Sequence, residues 1–398
     1  MPMSLPDSLR DDFPILSREV RGQPCIYLDS AATSLKPRAV IDAVTGFYTT
    51  HTANVHRSVH LFSEEATEAF ESTRELLAQF LNCDRRELAF TRNATEALNI
   101  VAMAHRDRGP VGLTLAEHHS NLLPWQQGDH FFFPLDDEHK VDLDKAAELI
   151  ATRRPHLVTF ASISNALGVR HPVEALVSIA REHGCLVMVD LSQSVGHEPV
   201  DLFELDCDYA CFSSHKMLGP SGVGVLFQRE GLESPIESHY LGGEMIHQAH
   251  IDGFEPRPFP WGLEAGTPNI EGVIGLGAAV DYLDAVGVPA IQEHAAALAT
   301  SLKDRLRQSD GIELVVDSPA AASTGNVTFR MAGLQSQGLA RILSQRFNIM
   351  IRSGFHCAQP LHESLSLQES ARASFHLYNT DAEVEALVDA LYIIRKTA

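Results

Sequence analysis

The sequence lacks the features that nucleic-acid-binding, membrane and secreted proteins need. It has 31 Lys and Arg against 52 Asp and Glu, a net charge of −21, whereas nucleic acids and anionic membranes bind cationic surfaces. No apolar run approaches the roughly 20 residues of a membrane span, and residues 1–7 lack the basic and apolar segments of a secretory signal. We therefore expect a cytoplasmic protein with no nucleic-acid or membrane partner.

Cysteine is also scarce. The six cysteines are scattered, without a Cys-x-x-Cys pair or a clustered histidine spacing, at positions 25, 83, 185, 207, 211 and 357. This pattern predicts reduced thiols, with neither a disulfide framework nor a metal site. The length of 398 residues and a hydrophobic content of 44% suffice for one large and one small domain.

Predicted helices and strands alternate along most of the chain, which is typical of an α/β protein. The patterns predict helices at 37–50, from an N-cap at Ser63, and at 94–104, 143–152, 172–183 and 271–286. They predict strands at 87–91, 156–161, 185–190, 208–213 and 222–227. From about 289 the pattern changes to a long helix, strands near 312–316, 325–330 and 348–352, and helices at 335–346 and 381–396. We expect a large cofactor-binding domain of residues 20–285 and a small α+β domain of residues 1–19 and 286–398.

A lysine and an acid follow two of the predicted strands. The run 185–190 ends in Asp190, and the strand at 209–213 leads through Ser213 and His215 to Lys216. A lone lysine after a strand is most often a solvated surface residue. An acid and a lysine at neighbouring strand ends are what pyridoxal phosphate requires, since the lysine forms a Schiff base and the acid keeps the pyridine nitrogen protonated.

Three further motifs suit a cofactor that carries a phosphate. Thr95 lies in a strand–turn–helix segment, where a hydroxyl and free helix amides make an anion site; the alternative is a simple helix cap. His118 could stack on a flat ring and exchange protons near neutral pH, or be a cap or core residue. Thr267, in Gly266-Thr267-Pro268-Asn269, offers a hydroxyl in what alone reads as an ordinary turn.

Cys357 occupies the most chemically suggestive loop, Arg352 to Pro360. A free cysteine is usually a small buried hydrophobic residue. Here it follows Phe355 and His356 just beyond a predicted strand, and loops on a rigid scaffold carry many catalytic groups. We expect Arg352 and His356 to raise the thiolate fraction of Cys357, because positive charge favours the anion.

Taken in order, these motifs resemble those of the cysteine desulfurases and selenocysteine lyases, in the class V aminotransferase group of fold-type-I pyridoxal-phosphate enzymes. The resemblance covers nearly the whole chain, through segments 27–33, 56–57, 95–96, 117–119, 164–165, 190–193, 213–216, 264–269, the Cys357 loop, 372–374 and 378–380. It implies a large, mainly parallel, seven-stranded-type sheet domain and a smaller α+β C-terminal domain. The Cys357 loop is similar to the compact form of the group II, SUF-type enzymes.

The resemblance also implies roles for individual residues. Lys216 is the Schiff-base lysine, Asp190 pairs with the pyridinium nitrogen, and His118 stacks on the ring and shuttles protons. The other implied cofactor contacts are Gln193 at the phenolic oxygen, and Ala94, Thr95, Ser213, His215 and Thr267 at the phosphate. Thr267 is implied to come from the second subunit of a homodimer.

On the substrate side, Cys357 matches the nucleophile that accepts sulfur, and Arg372 matches the group that binds the substrate carboxylate. The other residues implied to line the substrate pocket are Ala31, His56, Arg57, Asn165 and Arg352. The chain departs from the family pattern in three respects. Ala94 replaces a second threonine, Phe355 replaces a histidine, and the segments 109–112 and 125–134 are short.

The expected activity is that of an L-cysteine desulfurase, which makes L-alanine and a Cys357 persulfide for a sulfur-acceptor protein. The alternatives are a selenocysteine lyase, another β-eliminating or aminotransferase-like enzyme, or a scaffold without turnover. Cys357 favours sulfur transfer. The acceptor, the preference between sulfur and selenium, and the downstream pathway, iron–sulfur cluster assembly or another, stay open.

Overall fold

A computed structural model describes residues 5–232, 236, 238–317 and 324–397. Its helices are α1 Arg38–Thr50, α2 Leu61–Leu81, α3 Ala94–His105, α4 Leu143–Arg153, α5 Val173–Glu182, α6 Leu202–Leu205, α7 Ile270–Val286, α8 Val288–Arg307, α9 Ser336–Phe347, α10 Gln359–Ser364 and α11 Asp381–Thr397. Short 3₁₀ turns lie between several of them. The predicted helices are thus confirmed, with ends that differ by one or two residues.

The strands group into one large sheet, one smaller sheet and three short pairs. In chain order they are β1 Glu19–Val20, β2 Gln23–Pro24, β3 Ile26–Tyr27, β4 Leu88–Thr91, β5 Val111–Thr114, β6 His130–Phe133, β7 Leu157–Ala161, β8 Leu186–Asp190, β9 Tyr209–Ser213, β10 Gly224–Gln228, β11 Ile246–Ala249, β12 Phe254–Pro256, β13 Ile312–Leu314, β14 Asn326–Met331, β15 Ile349–Met350, β16 Arg352–Gly354 and β17 Ser370–Ser374.

The large sheet has seven strands in the order β4-β10-β9-β8-β7-β5-β6. Strand β10 is antiparallel to both of its neighbours, and the remaining pairs are parallel. The mainly parallel seven-stranded sheet is therefore confirmed. Its central strands are nearly continuous apolar runs because helices cover both faces.

The two faces of this sheet bury alternate side chains of the same strand. Val187 and Val189 of β8 belong to the main core, on the side of α2, α5 and α7. Met188 belongs to the opposite core, with Leu98 and Val101 of α3. This alternation fixes the register of β8 and therefore the direction of its last residue, Asp190.

The C-terminal part contains a four-stranded sheet of order β13-β14-β17-β16, all antiparallel. Helices α8, α9 and α11 pack on it around a core that includes Leu302, Phe329 and Leu387. Strand β15 pairs in parallel with β3, so residues near the N-terminus join this region. The domain boundaries given above remain a prediction.

Some details differ from the expectations. Helix α2 begins at Leu61, and its N-cap is His60, whose ring accepts the Ser63 N–H, so the predicted Ser63 cap is wrong. The predicted strand 348–352 is divided into β15 and β16. The sequence patterns do not predict β5, β6 or β17, since Val111–Thr114 and His130–Phe133 are only four residues long and Ser370–Ser374 consists of small and polar residues.

Within the described residues no single helix has the length and hydropathy to cross a bilayer; α7 and α8, bent by 77° at Gly287, reach these values only when they are joined.

Candidate active site

The predicted acid and lysine meet at one edge of the large sheet. Parallel strands β8 and β9 end at Asp190 and Ser213, and a single 3₁₀ turn, Ser214–Lys216, follows β9. The carboxyl ends of parallel strands are where ligands bind in open α/β sheets. A cavity of about 310 Å³ lies at this edge, within the size range of small-molecule sites.

Most of the predicted site residues line this cavity. They are Ala31, Ala94, Thr95, His118, Asn165, Asp190, Ser213, His215, Lys216, Arg352, Cys357 and Arg372. Residues of eight separate segments, from Ala31 to Arg372, thus converge on one space. The same cavity is lined by His356, expected above to act on Cys357, and by four residues for which the sequence analysis proposes no role: Ala32, Asn93, Ser120 and Ser192.

Four predicted residues do not line the cavity. The Gln193 side-chain amide donates to the carbonyl of Ala31, a residue that lines the cavity, at 3.0 Å. His56 bonds to Glu71 at 2.9 Å, and Arg57 forms an ion pair with Glu244 at 2.7 Å. Thr267 is exposed in the loop before α7. Their roles remain predictions.

The cavity is cationic in a strongly anionic protein. Its lining contains Lys216, Arg352 and Arg372 but only one carboxylate, Asp190. Burial lowers the pKa of Lys216, and the Asp190 carboxylate opposes that shift. Anionic ligands are therefore favoured here over cationic ones.

His118 lies at the same edge as a neutral base. Burial, followed by the Lys216 charge, lowers its pKa to about 4. Its ring accepts the Ser120 N–H at 3.1 Å, and this bond orients the imidazole. At neutral pH His118 is therefore uncharged and able to accept a proton.

The start of α3 forms the end of the cavity that is rich in hydroxyl groups. The Ala94 N–H donates to Ser213 Oγ at 2.9 Å, and Thr95 Oγ1 is hydrogen-bonded to Ser120 Oγ at 2.7 Å. Gly224 permits this arrangement, because a Cβ there would lie 2.4 Å from the Asn93 carbonyl carbon. Hydroxyls around a helix N-terminus suit a phosphate group.

Arg372 presents an unused donor inside the protein. Its guanidinium donates to the Asn165 carbonyl at 2.6 Å and to Asp29 Oδ1 at 3.2 Å. Within the described part of the chain its buried Nε has no hydrogen-bond partner. A carboxylate ligand would satisfy this donor. Asp29 was not predicted as a site residue, since its partner lies 343 positions away.

Cys357 lies between β16 and α10 in a strained backbone. His356 and Cys357 both adopt left-handed conformations, with φ of 51° and 57°, at a cost of roughly 1–2 kcal/mol per residue. Two contacts hold this loop: the Cys357 carbonyl accepts the His119 N–H at 2.8 Å, and the His356 carbonyl accepts Asn165 Nδ2 at 2.6 Å. The half-buried thiol is thereby held at the cavity.

The expectation that His356 activates Cys357 by its charge is wrong. Burial, followed by the charge of Arg372, lowers the pKa of His356 to about 2, so the imidazole is neutral. Its Nε2 is hydrogen-bonded to Ser370 Oγ at 2.9 Å. His356 supports the loop through this hydrogen bond, and the cations that line the cavity together with the thiol are Lys216, Arg352 and Arg372.

Glu117 is a further buried group that the sequence alone did not single out. It accepts hydrogen bonds from Thr114, Asn121 and the Ala161 amide at 2.5, 2.6 and 3.1 Å. Burial raises its pKa to about 8. This network fixes the segment immediately before His118.

A second cavity, of about 960 Å³, lies beside β13 and the start of α9. It touches Phe355 and Gln359 but none of the residues predicted to bind cofactor or substrate. We therefore place the active site in the smaller cavity. No three His, Cys, Asp or Glu side chains of the described residues are arranged to bind a metal ion.

Comparison with known families gives a match over most of the chain. Residues 26–387 match the family model described as aminotransferase class-V. A curated relative, "Cysteine desulfurase" from Haloferax volcanii, is 38% identical over 98% of this chain and 97% of its own length.

Solved structures agree with this match. The apo structure of a cysteine desulfurase from Thermococcus onnurineus is 36% identical, with a TM-score of 0.94 over 100% of this chain and 99% of that one. The Escherichia coli cysteine desulfurase CsdA is 35% identical, with a TM-score of 0.89 over 98% of both chains.

Proposed function

The chain belongs to the class V aminotransferase family and, within it, to the cysteine desulfurases, and on that premise we propose how its own residues carry out the reaction. The enzyme converts L-cysteine to L-alanine and transfers the sulfur to Cys357. The persulfide then passes to an acceptor protein. The observation that carries this proposal is that Lys216 and Cys357 line one cavity together with Arg372.

Cysteine desulfurases are pyridoxal-phosphate enzymes, and the cavity residues fit that cofactor. Lys216 would hold it covalently through Nζ, Asp190 would pair with the ring nitrogen, and His118 would lie against the ring. The hydroxyls of Thr95 and Ser213, with the His215 ring, would hold the phosphate, and Gln193 would serve the phenolic oxygen. When bound, the cofactor supplies an electron sink for the pair released at the substrate Cα.

Lys216 and His118 move the protons. The depressed pKa of Lys216 increases the fraction of free amine that can take the Cα proton near neutral pH. The neutral imidazole of His118 accepts the proton of the substrate thiol or returns one to the product. Asp190 lines the same cavity as these groups.

Arg372 orients the substrate. Its unpaired Nε gives it a donor for the substrate carboxylate, and Asn165 and Asp29 fix the guanidinium plane. A bound carboxylate at this point directs the substrate side chain towards the Cys357 loop. Holding the two sulfur atoms together lowers the barrier to their reaction.

Sulfur passes from the substrate to Cys357 in a single displacement. The Cys357 thiolate attacks the substrate sulfur, so that an S–S bond forms while the Cβ–S bond breaks. The electron pair of the broken bond goes to the carbon, which takes protons and leaves as L-alanine. The transferred sulfur is oxidised and Cβ is reduced, so no outside oxidant or reductant is required.

Assembly as a homodimer forms part of the same proposal. Thr267 is exposed and lies outside the cavity of its own chain, which suits a residue that serves a partner's phosphate. Large apolar side chains are exposed on two nearby segments, namely Val59, Leu61, Phe62, Tyr240, Leu241, Ile251 and Phe254. Surfaces of this kind are typical of interaction sites.

The test uses purified protein loaded with pyridoxal phosphate. With L-cysteine we expect one molecule of L-alanine for each molecule of L-cysteine consumed. We also expect one added sulfur atom, removable by reductant, on the peptide that contains Cys357. If alanine forms only from selenocysteine, the lyase alternative holds instead. Protein that takes up no cofactor, or makes no alanine from either amino acid, contradicts the proposal.

A further inference from the structure

One backbone carbonyl beside the active site accepts an unusual number of hydrogen bonds. The oxygen of His215, in the peptide bond that leads to Lys216, is approached by four donors. They are the Ser34 amide at 3.0 Å, Thr33 Oγ1 at 3.0 Å, Ser34 Oγ at 3.1 Å and Lys36 Nζ at 3.0 Å. A carbonyl oxygen has only two lone pairs. The four donors therefore share this oxygen and hold it from several sides at once.

Lys36 is the charged member of this group, and its surroundings are neutral. Its Nζ donates to the Ser34 carbonyl at 2.6 Å and lies 3.5 Å from Ser34 Oγ. No carboxylate of the described residues forms an ion pair with it. Burial lowers its pKa to about 8, which leaves the ammonium mostly protonated at neutral pH. A half-buried lysine without a counter-ion is costly and needs an explanation.

The loop of residues 33–36 also contacts the residues that follow Lys216. Ser34 Oγ accepts the Leu218 N–H at 2.8 Å, and Leu218 has a left-handed backbone with φ of 69°. The turn around Lys216 is therefore held both before and after the lysine. Lys36 itself does not line the cavity.

We propose that Lys36 is a positioning residue for Lys216. The ammonium group of Lys36 holds the His215–Lys216 peptide bond and so sets the position of Lys216 Nζ in the cavity. The inference rests on the proposed function of Lys216. A charged donor makes a hydrogen bond roughly twice as strong as a neutral one, which explains why a lysine stands here rather than a serine or threonine. Small displacements of a catalytic group reduce turnover by up to about a hundredfold.

The first experiment compares Lys36→Met with Lys145→Met. Methionine keeps the length of the stem and removes the ammonium; Lys145 is an exposed lysine of α4 paired with Asp142 and serves as the matched control. For Lys36→Met we expect kcat to fall about 10- to 100-fold, KM for L-cysteine to stay within about twofold, and the melting temperature to change little. The control should match wild type.

The second experiment restores the missing ammonium. Lys36→Ala removes the part of the side chain that n-propylammonium would replace. We expect added n-propylammonium to recover at least about a tenth of the wild-type kcat, and neutral 1-propanol to recover nothing. Lys36→Met, whose stem still fills the space, should not respond to either compound.

A third measurement does not depend on turnover. In cofactor-free protein, pyridoxal phosphate is added and trapped with borohydride, and the modified Lys216 peptide is quantified over time. We expect trapping in Lys36→Met to be at least about threefold slower than in wild type, and n-propylammonium to restore the rate in Lys36→Ala.

The outcomes separate this inference from the proposed function. If wild type makes alanine but Lys36→Met has unchanged kcat and trapping rate, the positioning role is wrong while the desulfurase proposal stands. If Lys36→Met loses activity only in proportion to a lowered melting temperature, and n-propylammonium does not restore Lys36→Ala, the lysine is merely structural and the inference is overturned. If wild type traps cofactor on Lys216 but makes no alanine, the proposed function fails and the trapping comparison still tests Lys36.

Discussion

Lys216 and Cys357 reach the same cavity on segments that are held in different ways. The turn of Lys216 follows directly from a central strand and is fixed by bonds from the loop of residues 33–36. The loop of Cys357 belongs to the C-terminal region and contains two successive left-handed residues. It is held by contacts to His119 and Asn165 of the large sheet region.

The difference suits the roles that we propose for the two residues. A lysine that holds a cofactor and moves a proton at one carbon atom benefits from a fixed position. A cysteine that takes sulfur from a substrate and delivers it elsewhere has to be reachable from both sides. Strained residues at functional sites persist when their surroundings over-determine them, and here the surroundings of Cys357 come from another part of the chain.

Removing the lysine should have the largest effect. Lys216→Ala deletes the group that we propose binds the cofactor and moves the Cα proton, so alanine formation should fall by at least about 10³-fold, within the range for general acid–base groups. The variant should keep the wild-type melting temperature to within a few degrees. Alanine assay and calorimetry check this, and turnover within tenfold of wild type would contradict it.

Removing the thiol of Cys357 should stop sulfur transfer while the cofactor site stays intact. Cys357→Ser should bind cofactor and retain the spectral response to L-cysteine, since Lys216 is intact. Alanine should fall about 10²-fold or more, because a serine hydroxyl is barely ionised and attacks sulfur poorly. Mass spectrometry should find no added sulfur.

Cys25→Ser is the matched control for the thiol, since Cys25 is also half-buried but lies outside the cavity. It should behave as wild type. Near-wild-type alanine production by Cys357→Ser would overturn the sulfur-transfer assignment.

Acid should lower the stability of the fold through His197, which supports the turn of Lys216. His197, hydrogen-bonded to the Lys216 carbonyl at 3.2 Å, has a pKa lowered by burial to about 4, whereas unfolded histidine has about 6.5. Below pH 6.5 the unfolded chain therefore binds the proton first, and stability is lost as the pH falls towards 4. His356, whose pKa burial lowers to about 2, adds to the same loss, because its unfolded form also takes up a proton below pH 6.5.

The loss attributable to His197 should be about 1 to 2 kcal/mol at pH 5 relative to pH 7. It is measured by urea unfolding at both pH values in wild type and in His197→Gln, which has no titrating ring. The variant should lose less stability on acidification than wild type. Equal losses in the two proteins would exclude this role for His197.

Loosening the cysteine loop should have the smallest effect. Asn165→Ala removes the donor to the His356 carbonyl and leaves that carbonyl buried without its partner, at a cost of roughly 1–3 kcal/mol. We expect sulfur transfer to fall about tenfold, with little change in cofactor binding. Amide exchange should increase in residues 354–360 and not in 213–218. Faster exchange in both segments would mean that the two are not held independently.

Much of the fold follows from local patterns in the sequence. The alternation of apolar runs and helical periods located the central strands, and the strand that ends in Asp190 was predicted to within one residue. Local signals of this kind depend on residues a few positions apart. The short β17, built from small and polar residues, gave no such signal.

The sequence was sufficient to predict which residues form the site but not the contacts between them. Asp190, Lys216 and Cys357 stand out because their residue types and neighbours suit specific chemistry. The bond between Arg372 and Asp29 and the neutral state of His356 depend on three-dimensional burial. Because His356 lies next to Cys357 in the sequence, we expected a charged imidazole there, whereas burial keeps the ring neutral.

The pairing of β3 with β15 has a consequence for the newly made chain. Strand β3 and Asp29 leave the ribosome early, long before β15 is made, and Arg372, the partner of Asp29, follows 343 residues later. At synthesis rates of roughly 5–20 residues per second, this first segment waits about 17 to 70 seconds for its partners. Until then its apolar side chains stay without their final neighbours, and a chain that ended early would lack Arg372, the residue that we propose binds the substrate carboxylate.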